Sequence, residues 1–382
     1  MFHHSENNIL SLIQTNKIMI VQDVINHLEE LAPLAYAEDF DNVGLLVGNK
    51  QSEITGVLVA LDTLETVVDE AIQENCNLIV SFHPIIFKGL KKLTGATYVE
   101  RAVLKAIKHD IAIYSMHTSL DNAFKGVNDM ICSRLQLKNR RILIPQTETI
   151  KKLTTYVPKA EAEHLRNALF NSGGGNIGNY SNCSFNVEGY GTYKGNEHSN
   201  PSIGQKEQMH TEAETKISIT FPKHLEQEIL RALFQNHSYE EVAYEVTTLE
   251  NKNQHIGMGM VGELEEAMDE QDFLAFIKQK MEAKCIKHSS FINKKIKKIA
   301  VLGGSGSFAI EAAKRAGAEA FITADLKYHD FFMDENKLLL VDVGHYESEQ
   351  FTKNGLVAHL TKKITNFAII LSKTNTNPVK YF

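Results

Sequence analysis

A histidine and a glutamate four residues apart, His345 and Glu349, sit in the string Gly344-His345-Tyr346-Glu347-Ser348-Glu349, directly after the apolar run 338–343. On the first turn of a helix, positions i and i+4 share a face, so an imidazole nitrogen and a carboxylate would address one point. Two other apolar runs end in the same kind of residue. The run 77–81 leads into Phe82-His83-Pro84, and the run 111–116 into His117-Thr118-Ser119-Leu120-Asp121. In an open α/β sheet, ligands gather beyond the carboxyl ends of the strands, so three such ends can converge on one pocket. His83, Asp121, His345 and Glu349 are therefore candidate metal ligands. Nitrogen and carboxylate donors without thiolates suit a first-row divalent ion such as zinc, manganese or iron, in a catalytic rather than a closed structural site. Plainer readings stand beside this one: a histidine after a strand is often a surface residue, and Asp121 before Asn122 suits a helix N-cap.

The elements that must position these residues follow from periodicity. From residue 20 to about 137 a helical pattern alternates with apolar strands: helix 21–31, strand 56–61, helix 64–74, the strand ending at His83, helix 98–108, and the strand ending at His117. The same grammar returns near the C-terminus, with strand 298–302, helix 307–316, strand 320–323 and the strand ending at Val343. Strands alternating with helices imply a largely parallel α/β sheet, with the two ends of the chain forming one domain. Between them, Pro158 and Lys159 follow one strand as Pro222 and Lys223 follow another. Each pair precedes a helix ending Ala-Leu-Phe, at 168–170 and 232–234, and each helix leads to a further strand, 184–193 and 242–248. A strand-helix-strand unit used twice predicts an inserted ferredoxin-like α+β domain of βαββαβ order. The polar stretches 172–182 and 194–215 are expected to be its mobile loops. The expected divisions are a disordered tail or upstream start over 1–18, a first core lobe over 19–140, the insertion over 150–250, and a second core lobe over 290–382 that completes the metal site. His3 and His4 belong to the tail and are discounted as ligands.

With 382 residues, 43% hydrophobic and 23% charged, the chain has the composition of an ordinary globular protein with room for more than one core. A formal net charge of −7 argues against general affinity for nucleic acid, since backbone binding needs clustered Lys and Arg. The basic run Lys294-Lys295-Ile296-Lys297-Lys298 reads as a solvated strand entrance. Cys76, Cys132, Cys183 and Cys285 are widely spaced, as in a reduced cytoplasmic chain without a disulfide framework. No apolar run reaches the length of a membrane span.

Two glycine motifs need weighing. Gly257-Met258-Gly259-Met260-Val261-Gly262 fits the dinucleotide pattern in letters, but no strand-turn-helix surrounds it. Gly303-Gly304-Ser305-Gly306 does lie between a strand and a helix. An anion site and a simple tight turn are both open readings there.

Taken together, these motifs resemble those of the NIF-three-like family, whose bacterial members are called GTP cyclohydrolase 1 type 2 homologues. The matching strings are Ala37-Glu38-Asp39-Phe40-Asp41-Asn42-Val43-Gly44-Leu45-Leu46-Val47-Gly48, Phe82-His83-Pro84-Ile85-Ile86-Phe87, His117-Thr118-Ser119-Leu120-Asp121, Gly303 to Gly306, and Gly344 to Glu349, in the family's order. The resemblance implies a two-lobed α/β core carrying an inserted CutA-like or PII-like domain. It also implies a toroidal homohexamer and two divalent ions per subunit, held by His83, Asp121, His345 and Glu349. One departure bears on the ions. The family usually has two consecutive histidines where this chain has Phe82-His83, so one ion is expected to be held more weakly. Phe40 stands where many members have Trp, a swap expected to affect packing only.

The activity the resemblance implies is metal-dependent hydrolysis of a nucleotide or related heterocycle, similar to GTP ring opening with loss of formate. His117 is the first candidate for proton transfer, since imidazole titrates near neutral pH, and His329 is a second. For both, a supporting hydrogen bond to a ligand is the alternative role. The competing functional reading is a non-catalytic metal-binding regulatory scaffold whose insertion senses a ligand or partner.

Overall fold

The computed structural model describes residues 18–382, and the expected tail over 1–18 falls almost wholly outside them. The chain forms two compact units. One runs to Ile144 and resumes at Met258, and the other spans Pro145–Gly257.

The first unit is built on two mixed sheets, in keeping with the α/β class. In one, the strands run in the order Gly44–Val47, Ala112–Ser115, Leu78–Ser81, Val57–Ala60 and Ile369–Leu371. The last four are mutually parallel, and Gly44–Val47 pairs antiparallel at the edge. The buried strands Val57–Ala60, Leu78–Ser81 and Ala112–Ser115 are covered on both faces, which explains why they read as unbroken apolar runs rather than alternating ones. The second sheet has at its centre the parallel strands Ile296–Ser305, Ala320–Ala324 and Leu339–Asp342. It is extended by Lys287–His288 on one side, and by Asn253–Met268 and Lys138–Gln146 on the other. A strand near the C-terminus thus completes the sheet that begins near the N-terminus. This places residues from both ends of the chain in one core.

The first helix, Val21–Leu31, buries Val21, Val24, Ile25 and Leu28. That i, i+3, i+4, i+7 stripe is the face an amphipathic helix turns to a core, and each such side chain contributes about 1.5–3 kcal/mol on full burial. Helix Tyr98–Lys108 starts where Thr97 accepts a hydrogen bond from the Glu100 amide at 3.2 Å. That side-chain acceptor satisfies one of the amides a helix start leaves open.

In the second unit, strand Ile150–Pro158, helix Ala162–Asn171, strands Phe185–Lys194 and Met209–Pro222, helix Glu226–Asn236 and strand Tyr244–Leu249 follow one another. The four strands pair antiparallel, with Phe185–Lys194 and Tyr244–Leu249 at the edges. Both helices pack on one face, where Leu165, Leu169, Ile229 and Leu233 meet Leu153, Val157, Ile217, Ile219 and Phe221. The loop expected over 194–215 is shorter than its polar composition implies, because Met209–Pro222 is a single long strand. Its first five residues, 209–213, are exposed or half-exposed on both faces and pair only with Phe185–Lys194, so they carry no apolar alternation to read.

Candidate metal centre

The strand ends bring the chemistry together. His83 follows Leu78–Ser81, Asp62 follows Val57–Ala60, Asp325 follows Ala320–Ala324, and His345 opens the short helix His345–Glu349 just after Leu339–Asp342. His83, His345 and Glu349 converge, each offering one ligand atom within 4.8 Å of the others. Nε2 of His83 lies 3.1 Å, and Nε2 of His345 3.2 Å, from the same oxygen, Oε2 of Glu349. The opposite nitrogen of each ring is engaged: Nδ1 of His83 by Asp62 at 2.8 Å, and Nδ1 of His345 by Asp325 at 2.7 Å. Carboxylates behind the rings fix their orientation and leave Nε2 for a ligand, as in carboxylate–histidine–metal arrangements.

Charge in this cluster is strongly coupled. Burial works against a cation at His83, but Asp62 and Glu349 overcome it and hold the imidazole up at about 10. Glu349 and then Asp325 do the same for His345 against its burial, to about 9. Burial alone would raise the Glu349 carboxyl, yet the two imidazoles bring it down to about 2. Asp121 goes the other way, pushed well above the carboxylate range by burial and then by the Glu349 charge.

The donors fit a small cation on two observations. They are two imidazole nitrogens and a carboxylate oxygen, a set that divalent first-row ions accept. Moreover, Oε2 of Glu349 and Oδ1 of Asp121 are buried with no hydrogen-bond partner. An orphaned buried oxygen is costly unless something else satisfies it. The two short contacts to Oε2 thus lack hydrogen-bond geometry while remaining within ligand reach.

Asp121 is close enough to feel Glu349 but is not one of the converging three. It lies inside helix His117–Asn122 rather than at its N-cap. His117 is beside the cluster, its ring 5.4 Å from that of His83, with Nδ1 held by Asp41 at 2.8 Å. Asp41 also accepts from the Thr118 amide at 3.1 Å, and with His117 these contacts hold its carboxyl down at about 2 against the effect of burial. His329 is placed elsewhere. It is exposed on the turn Tyr328–Asp334, with its ring against Tyr328 and Phe332, and it does not line the cavity at the cluster. Phe82 is fully buried and packs against both imidazoles, at 4.9 Å from His83 and 5.6 Å from His117. Phe40, expected to matter for packing, is 68% exposed.

The glycine turn is resolved as a packing device. The Gly303 amide donates to Asn128 Oδ1 at 3.1 Å and the Gly304 amide to Ser348 Oγ at 2.9 Å, so neither is free for an anion. Gly304 has φ +67°, and a Cβ there would fall 2.5 Å from Oε1 of Glu349. The other glycine motif, 257–262, lies along the strand Asn253–Met268, without the turn and helix of a dinucleotide site. Sequence reasoning missed Asp41, Asp62 and Asp325. Asp62 and Asp325 lie just beyond strand ends, and the rule that singled out His83 would have found them.

A cavity of about 430 Å³ opens over the cluster, lined by His83 and His345 together with Lys287, Tyr346, Asn377 and Tyr381 among others. Lys287 pairs with the buried Asp342 at 2.7 Å, and Asn377 donates to Glu347 at 3.0 Å. The segment after the last strand therefore forms part of the wall.

An α/β core with a His-His-Glu cluster at its strand ends presents a group of side chains that could hold a metal ion. The chain belongs to the Duf34/NIF3 (NGG1p interacting factor 3) family, whose match covers residues 19–378. It is 39% identical to a Bacillus subtilis protein called GTP cyclohydrolase 1 type 2 homolog, over 94% of this chain and 98% of that one. A Halalkalibacterium halodurans protein of the same name is 36% identical, over 96% and 100% of the two chains. Among solved structures, a Bacillus cereus protein related to NIF3 superposes with a TM-score of 0.84 at 36% identity, covering 96% of this chain and 100% of that one. Among the described residues, no helix is long and apolar enough to cross a membrane.

Proposed function

We propose that this protein is a divalent-metal-dependent hydrolase acting on a nucleotide or a related heterocycle, in the sense of the name its relatives carry. The observation that supports this most is the convergence of His83, His345 and Glu349 beneath an open cavity of about 430 Å³. A divalent ion held by these three residues supplies Lewis acidity and a water ionised near neutral pH. His83 and His345 are oriented for that task by Asp62 and Asp325. His117, with Nδ1 engaged by Asp41, keeps Nε2 for proton transfer to a ring nitrogen as its carbon–nitrogen bond breaks. For a guanine nucleotide, water adds at C8, the imidazole ring opens, and a second hydrolysis releases C8 as formate.

A second ion would have a poorer donor set. Asp121 would offer a buried oxygen, but Phe82, packed against His83 and His117, has no donor atom to give, so a second ion would be held more weakly. Assembly as a toroidal homohexamer belongs to the same proposal. Light scattering at micromolar concentration should then give six times the subunit mass, and a monomer would count against it. The competing reading, a metal-binding regulatory scaffold, draws on the separate unit Pro145–Gly257, which has a cavity of its own. Incubation of the purified protein with GTP and manganese or zinc separates the two. Formate release that disappears in Glu349→Ala supports the hydrolase. A metal-loaded protein that releases none from GTP or other purine nucleotides supports the scaffold.

A further inference from the structure

A cavity of about 750 Å³ in the second unit shares no lining residue with the cavity at the metal cluster and falls within the range of about 300–1,000 Å³ that small-molecule sites occupy. Its floor is the sheet face opposite the helices. Strand register sets Val187 across from Lys216, which is itself across from Tyr156, and sets Gly189 across from Glu214. Directly opposed residues share a face. Lys216, Glu214 and Tyr156 therefore project together, while Thr215, Ile217 and Ile219 point to the helices.

Two glycines shape this floor: Gly191 makes room for the Glu214 carboxylate, and Gly189 leaves open space. Gly189 and Gly191 lie on that face, and a Cβ at Gly191 would sit 2.1 Å from Oε2 of Glu214, whereas one at Gly189 would meet nothing within 4 Å. Neither glycine has a positive φ, so space rather than backbone freedom is what they provide. Tyrosines build the walls. Tyr239 donates its hydroxyl to Oε1 of Glu214 at 2.8 Å, and the Tyr193 ring lies 5.7 Å from that of Tyr239. The Asn200 amide donates to Glu240 at 2.7 Å, which ties one rim loop to the other.

The charges select the ligand. Among the described residues neither Glu214 nor Lys216 forms an ion pair, although they are two positions apart on one strand, about 7 Å along it. The Lys216 ammonium instead lies 5.8 Å from the centroid of the Tyr156 ring. A simple organic cation would meet the repulsion of Lys194 and Lys216, and a simple anion that of Glu214, Glu240 and Glu241. A zwitterion satisfies both charges at once.

We propose that this cavity binds a free amino acid with an apolar or aromatic side chain. Its carboxylate pairs with Lys216, its ammonium with Glu214, and its side chain lies among Tyr156, Tyr193 and Tyr239. The site shares no residue with the metal centre and does not depend on the hydrolase reading.

Isothermal titration of the full-length protein with L-phenylalanine, 2-phenylethylamine and 3-phenylpropionate tests it, because the two analogues each remove one charge and keep the ring. L-phenylalanine should bind in the micromolar to millimolar range, and each analogue at least about 10-fold more weakly, which corresponds to roughly 1.4 kcal/mol. Lys216→Met should abolish the preference for the amino acid over phenylethylamine, and Glu214→Gln its preference over phenylpropionate, with metal content unchanged in both. Equal binding of all three ligands to the wild type, or tightest binding of the amine, would overturn the assignment. So would no binding by phenylalanine, tyrosine or leucine at about 10 mM, well above the millimolar affinity that marks the weak limit of a useful site. The wild-type comparison stands even if a variant fails to fold.

Discussion

Metal binding at His83, His345 and Glu349 should displace close to two protons at pH 7. In the metal-free protein His83 is held up at about 10 and His345 at about 9, so both rings are charged at neutral pH, each to about 99% or more. An ion needs the lone pairs of both Nε2 atoms, so each ring gives up its proton. Glu349 adds none, since its carboxyl is already down at about 2. The apparent affinity should then rise by about two powers of ten per pH unit between roughly pH 6 and 8. Calorimetric titration with zinc or manganese in buffers of different ionisation enthalpy reads the proton count from the slope of the observed heat. Release beyond two would point to Asp121, whose carboxyl is pushed upward by burial and by the Glu349 charge. Zero release would mean that the rings are neutral without metal, refuting the coupling described above. The same shifts set the stability of the metal-free protein. A histidine raised above its ordinary 6.5 contributes stability that is fully present below that value and is lost as pH climbs through about 9 to 10. Thermal melts of metal-free protein should therefore fall between pH 7 and 10, and metal-loaded protein should resist that fall.

Other perturbations test neighbouring parts of the site. Phe82→His should tighten the weaker ion by at least about 10-fold, since even an outer partner of a ligand is worth roughly 10–100-fold in metal affinity. Elemental analysis should then move from near one ion per chain toward two, and an unchanged count would show that the position does not face the cluster. Gly304→Ala places a Cβ against Glu349 at positive φ and should cost about 1–2 kcal/mol of stability while weakening the ion, measured by denaturant unfolding and metal titration. Asp41→Asn removes the carboxylate that orients His117 and should lower turnover by about 10–100-fold with metal content intact; loss of metal instead would make Asp41 part of the ion's support rather than of proton transfer.

What could be read from the sequence divides along physical lines. The pairing of His345 with Glu349 is local, fixed by 3.6 residues per turn, and the strand ends at His83 and His117 are announced by apolar runs too short and too β-branched for helices. Those parts of the site were legible. His329 looked equivalent in one dimension, being a histidine shortly after a strand. Between it and Ala324, however, the chain turns at Asp325, which adopts φ +58° and directs its own carboxylate at His345. The residue nearest the strand end took the role, and the histidine four positions later was carried out to the surface. Asp41 was hidden for a different reason. It lies before the edge strand rather than beyond a strand's end, its partner His117 is 76 residues away, and no periodicity reports such a contact. The cavity in the second unit was hidden more deeply still, because it depends on which residues of two exposed strands stand opposite one another. Along Phe185–Lys194 every residue is exposed or half-exposed, so hydrophobic alternation does not specify its register. Gly189 and Gly191 carry no mark of this in the sequence; in the sheet, Gly191 makes room for the Glu214 carboxylate and Gly189 leaves the clearance over which a ligand can lie.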